Sequence, residues 1–146
     1  MTEYRTAQPR IAVYILLEKD GRHAFVKRSN TGWRDGYYSL PSGKVEKGES
    51  YLRAAVREAK EEVGVTIDLE DLEHVLTTHR FEDNDWVDLM FVAKKYEGEA
   101  YNAEPHMHSE LAWLDLTDLP AMITPSQLHA LAAYHAGKTY SEYGWK

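Results

Sequence analysis

One stretch of twenty-three residues, Gly43 to Val65 (GKVEKGESYLRAAVREAKEEVGV), constrains this chain more than any other. Leu52, Val56, Ala59 and Val63 recur at helical spacing, so Ser50–Val63 is expected to form a helix with one apolar stripe. Gly64 stands where a helix-ending glycine belongs. Glu58, Glu61 and Glu62 fall at i, i+3 and i+4, within about 100° of one another on the helical wheel and roughly 130° from that stripe. One face is therefore expected to pack into a core while a second, exposed face gathers three carboxylates. Like charges so spaced cost about 0.2–0.5 kcal/mol per pair in an isolated helix. Glu61 and Glu62 also sit in the last turn, where the helix dipole disfavours anions, and Arg57 and Lys60 offset this only in part. A hard divalent cation among the acids would make the arrangement favourable, and oxygen-only ligands suit Mg²⁺ or Mn²⁺. On helix geometry alone, a merely solvated acidic face is the commoner outcome.

The flanking sequence reads as a mixture of strands and a second helix. Arg10–Leu17 and His23–Arg28 are strand-like and Asp20-Gly21 is turn-like, together a hairpin. Ser29–Tyr37 is a loop. Pro41–Gly48 is loop-like, with a short strand expected around Lys44–Glu46. Beyond the helix, Glu73–Phe81 and Trp86–Tyr96 are strands joined by a turn at Glu82–Asp85. Asp83-Asn84-Asp85 lacks the glycine and terminal glutamate of a calcium loop, which leaves it a hairpin turn. Glu97–Ser109 is a polar loop and Leu111–Leu116 a strand. Ser126–Gly137 is a helix with Leu128, Leu131, Ala132 and His135 on one side, and the aromatic tail Lys138–Lys146 is a segment that could dock on the body. Without regular βαβ alternation, this order points to an α/β sandwich with a mixed sheet.

The totals exclude several classes. A length of 146 residues favours one domain, 1–146. The chain has no cysteine, so disulfides and thiolate zinc sites are ruled out. A formal net charge of −7 disfavours non-specific DNA or RNA binding, and no apolar run approaches the ~20 residues of a membrane span. Met1–Arg10 is polar, without the apolar core of a signal peptide. A cytoplasmic protein with a small anionic substrate is expected, one that cations would bridge to the acidic chain.

Gly43, Glu49, Arg57, Glu58, Glu61, Glu62 and Gly64 together match the Nudix box, G-x5-E-x7-R-E-U-x-E-E-x-G-U, with Ala59 and Val65 at the two bulky apolar positions; Ala59 is small for its slot. At roughly 6–7% usage per residue type, seven fixed matches arise by chance on the order of once in a million for a chain of this length. The chain thus resembles the Nudix hydrolases. The resemblance implies an α/β/α sandwich with a mixed sheet, the box forming a loop–helix–loop that holds Mg²⁺ (or Mn²⁺) against a diphosphate. It implies hydrolysis of a nucleoside diphosphate derivative. Missing subfamily markers lean towards a nucleoside triphosphate or modified nucleotide, with ADP-ribose or another nucleotide sugar as the alternative and a non-catalytic nucleotide-binding module as the alternative of a different class. A homodimer is a common form in the family.

Carried over residue by residue, the resemblance makes Glu58, Glu61 and Glu62 metal ligands, with Gly43 lending a backbone carbonyl. Glu49 and Arg57 would pair, Arg57 orienting the neighbouring carboxylate, and Gly64 would stop the helix. The general base is either Glu58 or a glutamate outside the box; Glu110 is the first choice there, Glu104 the second, with Asp83, Asp85 and Asp88 less favoured. Arg28 and Arg34, or Lys27, could contact a phosphate, and Trp33, Tyr37, Phe81 or Trp86 could stack on a base. For each of these residues alone, packing or solvation is the commoner role. His106 and His108 are read as part of a solvated loop.

Overall fold

The computed structural model describes residues 5–146; Met1–Tyr4, the start of the polar N-terminal stretch, lie outside the described residues. Strand β1 (Arg10–Lys19) is the axis of the molecule. Its unbroken apolar run is the mark of a strand covered on both faces. Val13, Ile15 and Leu17 pack with Ala54, Ala55, Ala59 and Val63 of helix α1 (Tyr51–Val63). Leu16 points the other way, into the cluster that holds Ala130, Leu131 and Ala133 of helix α2 (Pro125–His135). The sheet between the helices runs in the order β3-β2-β1-β6-β5-β8. It comprises β2 (Arg22–Arg28), β3 (Tyr38–Ser39), β5 (Leu72–Glu82), β6 (Asn84–Ala93) and β8 (Tyr140–Tyr143), with β4 (Ser42–Lys44) on β1 and β7 (His108–Leu114) on β2. β1–β6 and β5–β8 are parallel pairs in an otherwise antiparallel sheet. This is the mixed-sheet α/β/α sandwich expected. Among the described residues no helix is long and apolar enough to cross a membrane.

The β1–β2 hairpin turns at Asp20 (φ 52°) and Gly21 (φ 78°), the two successive left-handed residues of a tight hairpin. Helix α1 starts at Ser50, whose hydroxyl accepts from the Arg53 N–H at 3.2 Å, and ends at Gly64 (φ 74°), whose N–H reaches the Lys60 carbonyl.

Several expectations need correction. The short strand near residue 44 is Ser42–Lys44 rather than Lys44–Glu46, and Tyr38–Ser39 adds a strand that no pattern of two residues could announce. β7 begins three residues earlier than expected. On α2, Leu128 is exposed, and the buried side carries Ser126, Gln127, Ala130, Leu131 and Ala133. The tail does dock: β8 pairs with β5, and the Trp145 indole N–H donates to the His79 carbonyl at 2.9 Å.

The correction that matters most concerns α1. Its buried residues are Ala54, Ala55, Glu58, Ala59, Glu62 and Val63, whereas Leu52 stands exposed. At 100° per residue these six span an arc of about 180°, with Glu62 and Ala55 near its middle. Glu58 and Glu62 thus lie on the buried face and not on an exposed one. Three alanines bring the helix close to the sheet, and the long glutamate side chains reach past them into a cleft lined by β1, β2, β4 and β6.

Candidate functional site

The cleft measures about 670 Å³. Glu58 and Glu62 enter it from α1, Ser42, Gly43 and Lys44 from β4, Arg28 from β2, Glu104 from the loop before β7, His108 from the start of β7, and Ser126 and Gln127 from α2. Gly43 lies directly under Glu58, where a Cβ would overlap the Glu58 carboxylate; the glycine is needed for this close approach.

Arg57 ties the box together. Its guanidinium donates to both carboxylate oxygens of Glu49 (2.7 and 3.0 Å), to Glu58 Oε1 (2.7 Å), to Glu61 Oε2 (3.3 Å) and to the Lys44 carbonyl (3.1 Å). The expected Glu49–Arg57 pair is present, and its hydrogen bonds hold the Glu49 carboxyl down at about 2. Glu61 is drawn to Arg57 on the outside of the helix with its side chain 52% exposed, and it does not line the cleft. The structure therefore brings Gly43, Glu58 and Glu62 together and leaves Glu61 apart.

Glu58 and Glu62 are 9% and 8% exposed. Burial pushes the Glu58 carboxyl up to about 7, against the opposing pull of Arg57. Burial and the neighbouring Glu58 charge push Glu62 well above the usual carboxylate range; the Ser42 N–H, 3.2 Å from Glu62 Oε1, opposes this weakly. These acids are deprotonated at neutral pH only at a cost, and the folded metal-free chain holds protons that an unfolded chain releases above the ordinary value near 4.5. The resulting stabilisation is complete below that value and is lost as pH rises through 7 and beyond. Burial lowers the pKa of His23 and His108, so both are neutral above pH 7, folded or unfolded. Between pH 7 and 8.5 the melting temperature of the chelator-treated protein is expected to fall; a calorimetric scan at constant ionic strength reads it, and a flat or rising profile would contradict this electrostatic picture.

The outside acid is not where strand alternation would put it. Lys27 pairs with Glu110 and Arg28 with His108, leaving Ser109 as an extra residue in β7. This bulge reverses the alternation: His108 turns into the cleft, while Glu110 turns away, accepting from the Tyr38 hydroxyl at 2.8 Å with Lys27 Nζ 3.8 Å off. Glu110 does not line the cleft, and Glu104, the second choice, does. Glu104, His108 and Glu62 present ligand-type atoms all within 4.8 Å of one another. Pro105 directly after Glu104 is the sequence signal for the tight turn, which the His108 N–H closes on the Glu104 carbonyl at 3.0 Å. Reading His108 as solvated was wrong: it is 5% exposed.

Of the substrate-binding candidates, Arg28 and Trp33 line the cleft, the Arg28 Nε donating to the Trp33 carbonyl at 2.8 Å and its guanidinium lying 5.0 Å from the indole centroid. Arg34 does not; it lies over Trp33 and Tyr37 outside the lining. Trp86 lines the cleft beside Arg80, whereas Phe81 packs on Trp145. Sequence reasoning missed Tyr14, Arg80, Ser126 and Gln127. Gln127 holds the loop to α2, its Oε1 accepting from the Leu40 N–H at 2.7 Å.

The donor set fits a divalent cation. Glu58, Glu62 and Glu104 face one cleft, and among the described residues the Glu62 carboxylate has no hydrogen bond beyond that from the Ser42 N–H. Buried carboxylates with so few partners demand positive charge. Gly43, Glu58, Glu62, Glu104 and His108 are the residues that would border it.

Such a loop–helix–loop on an α/β/α sandwich defines the class of Nudix-type hydrolases. The NUDIX domain model matches residues 6–134, and the chain belongs to the Nudix family; its enzyme class is that of the Nudix pyrophosphohydrolases. It is 31% identical over 118 residues to the ADP-ribose pyrophosphatase of Methanocaldococcus jannaschii, a match covering 78% of this chain and 66% of that protein, just under two thirds of its length. It is 29% identical over 117 residues to the 8-oxo-dGTP diphosphatase of Escherichia coli, covering 79% and 90% of the two chains. The crystal structure of a MutT NUDIX hydrolase from Burkholderia pseudomallei superposes with a TM-score of 0.77 at 30% identity, covering 86% of this chain and 97% of the other.

Proposed function

We propose that the chain acts as a single hydrolase domain on a nucleoside triphosphate or a modified form of one, releasing a nucleoside monophosphate and pyrophosphate. The observation that carries this reading is that one cleft gathers two kinds of group. The carboxylates of Glu58, Glu62 and Glu104 suit cations that grip paired phosphates. The Trp86 ring and the Gln127 amide suit a base. Arg28 offers a guanidinium for a phosphate oxygen.

The bound cation, Mg²⁺ or Mn²⁺, would neutralise charge on the phosphate oxygens and acidify a water. The residues supply the rest. Arg57 holds one oxygen of Glu58, and the other is free to take the proton of the attacking water. The water oxygen bonds to one phosphorus, the bridging P–O bond breaks, and the departing phosphate keeps the electron pair. In the metal-free protein burial holds the Glu58 carboxyl up at about 7; a cation beside it would lower this and favour the deprotonated form that accepts the proton. Trp33 and the Ser29–Tyr37 loop would cover the substrate.

Glu104→Gln is expected to lower kcat by at least ~10-fold, and Glu110→Gln to leave it within about twofold, since only the first lines the cleft. Steady-state kinetics on both variants decides; equal losses would restore Glu110 to the site. The reading as a whole is tested with a metal-supplemented panel of nucleoside triphosphates, oxidised nucleotides, ADP-ribose and 5′-triphosphorylated RNA, with products identified in ¹⁸O-labelled water. Preferential turnover of a triphosphate to monophosphate and pyrophosphate supports it. Preference for ADP-ribose would replace the substrate, and binding without hydrolysis across the panel would replace the function.

A further inference from the structure

We propose that Glu62, Glu104 and His108 form a mixed imidazole–carboxylate ion position that takes a first-row transition ion in preference to Mg²⁺. The proposal rests on the reading of the cleft as a metal-assisted hydrolase site and concerns which ion that site selects.

The cluster is built, not accidental. The Glu104–His108 turn is pinned to the C-terminal end of α1 by two backbone bonds, Tyr101 N–H to the Val63 carbonyl (3.0 Å) and Ala103 N–H to the Glu62 carbonyl (3.1 Å). Asn102 clasps the turn from inside, its Nδ2 donating to the His108 carbonyl at 2.7 Å. Gly64 lets the Tyr101 ring lie against the helix end, where a Cβ would collide with it. The i, i+4 relation within the turn then sets Glu104 and His108 side by side, facing Glu62.

His108 is the independent sign of a ligand. Its ring is buried, with 5% of the residue exposed, and among the described residues its Nδ1 has no hydrogen-bond partner. Its Nε2 stands 4.0 Å from Glu62 Oε2, too far for a hydrogen bond and near enough for both to meet a third partner. An ion between them would meet Nε2 and both acids at once. The donor chemistry then selects the ion. Mg²⁺ takes oxygen ligands in near-ideal octahedra, whereas an imidazole favours Fe²⁺, Ni²⁺, Cu²⁺ or Zn²⁺; Mn²⁺, which oxygen ligands also suit, stands lowest in that series and serves as the paramagnetic reporter. His106, two residues before, is exposed and takes no part.

The test uses the full-length protein loaded with Mn²⁺ alone and read by pulsed electron paramagnetic resonance, so the result is independent of turnover. The wild type is expected to show ¹⁴N modulation, replaced by the ¹⁵N pattern in protein labelled with [¹⁵N]histidine and lost in His108→Gln. Competition against Mg²⁺ is expected to show the preference for Mn²⁺ fall roughly 10–100-fold in the same variant, the scale seen when a partner of a metal site is removed. The wild-type spectrum needs no variant to fold. Bound Mn²⁺ without nitrogen modulation, or modulation that persists in His108→Gln, overturns the proposal. If hydrolysis of the nucleotide panel is intact in that case, the functional reading survives; no Mn²⁺ bound and no hydrolysis sinks both.

Discussion

Glu62→Gln is expected to cut kcat by about 10³-fold and to raise the melting temperature of the metal-free protein at pH 8. Both effects have one cause. Glu62 is buried on the face of α1 that meets the sheet, with a single backbone donor as its described partner, and burial drives its carboxyl far up. At pH 8 folding must either hold the proton or bury the charge, and glutamine does neither. The same negative charge is what a cation would answer, and loss of one charge-stabilising group at a reacting centre costs roughly 10²–10³ in rate. Removing a destabilised functional group in exchange for stability is the expected trade at such sites. Steady-state kinetics with saturating metal, beside thermal melts in chelator, tests the pair of effects. A variant that loses stability while keeping kcat would show Glu62 to be a structural acid.

Arg80→Met is expected to cost roughly 3–5 kcal/mol, the range for stranding one member of a buried ion pair. Arg80 is 6% exposed and grips Asp88 with two hydrogen bonds (2.6 and 3.1 Å), with Glu82 at 3.0 Å and the Tyr14 hydroxyl at 3.4 Å. Burial pushes the Asp88 carboxyl up and Arg80 pulls it back. Without Arg80 the acid escapes by taking a proton, so the loss should be smaller at pH 5 than at pH 8. Arg80→Met/Asp88→Leu removes both charges and should recover most of the stability. Urea denaturation at the two pH values measures this. A single-variant loss under ~1 kcal/mol, unchanged with pH, would mean that the pair contributes nothing.

Where local chemistry decides an element, the sequence was readable. Ser50 and Gly64 bound α1 as expected, and the apolar run Arg10–Leu17 was legible as a strand, though not its central place in the sheet. The box residues Gly43, Glu49, Arg57, Glu58 and Glu62 converge as the resemblance implied. What could not be read depends on contacts distant in sequence. The wheel drawn through Leu52 and Val56 turned the helix away from its true buried arc, because three small alanines pack closer than larger side chains can. β3, β4 and β8 exist through pairing with strands elsewhere. Nothing local in the sequence announced the bulge at Ser109, set by the β2–β7 register, that turns His108 inward and leaves Glu110 against Tyr38. His108 looked like a loop histidine because its burial comes from α1 and β2, neither adjacent in sequence.

The most direct measurement is anomalous diffraction at the manganese edge from crystals soaked in Mn²⁺ and a non-hydrolysable nucleoside triphosphate analogue. A manganese peak against the Glu58, Glu62 and Glu104 carboxylates, with analogue phosphates on its far side, is the predicted result. Phosphates bound elsewhere on the molecule, with those three side chains free of any ion, would contradict the account.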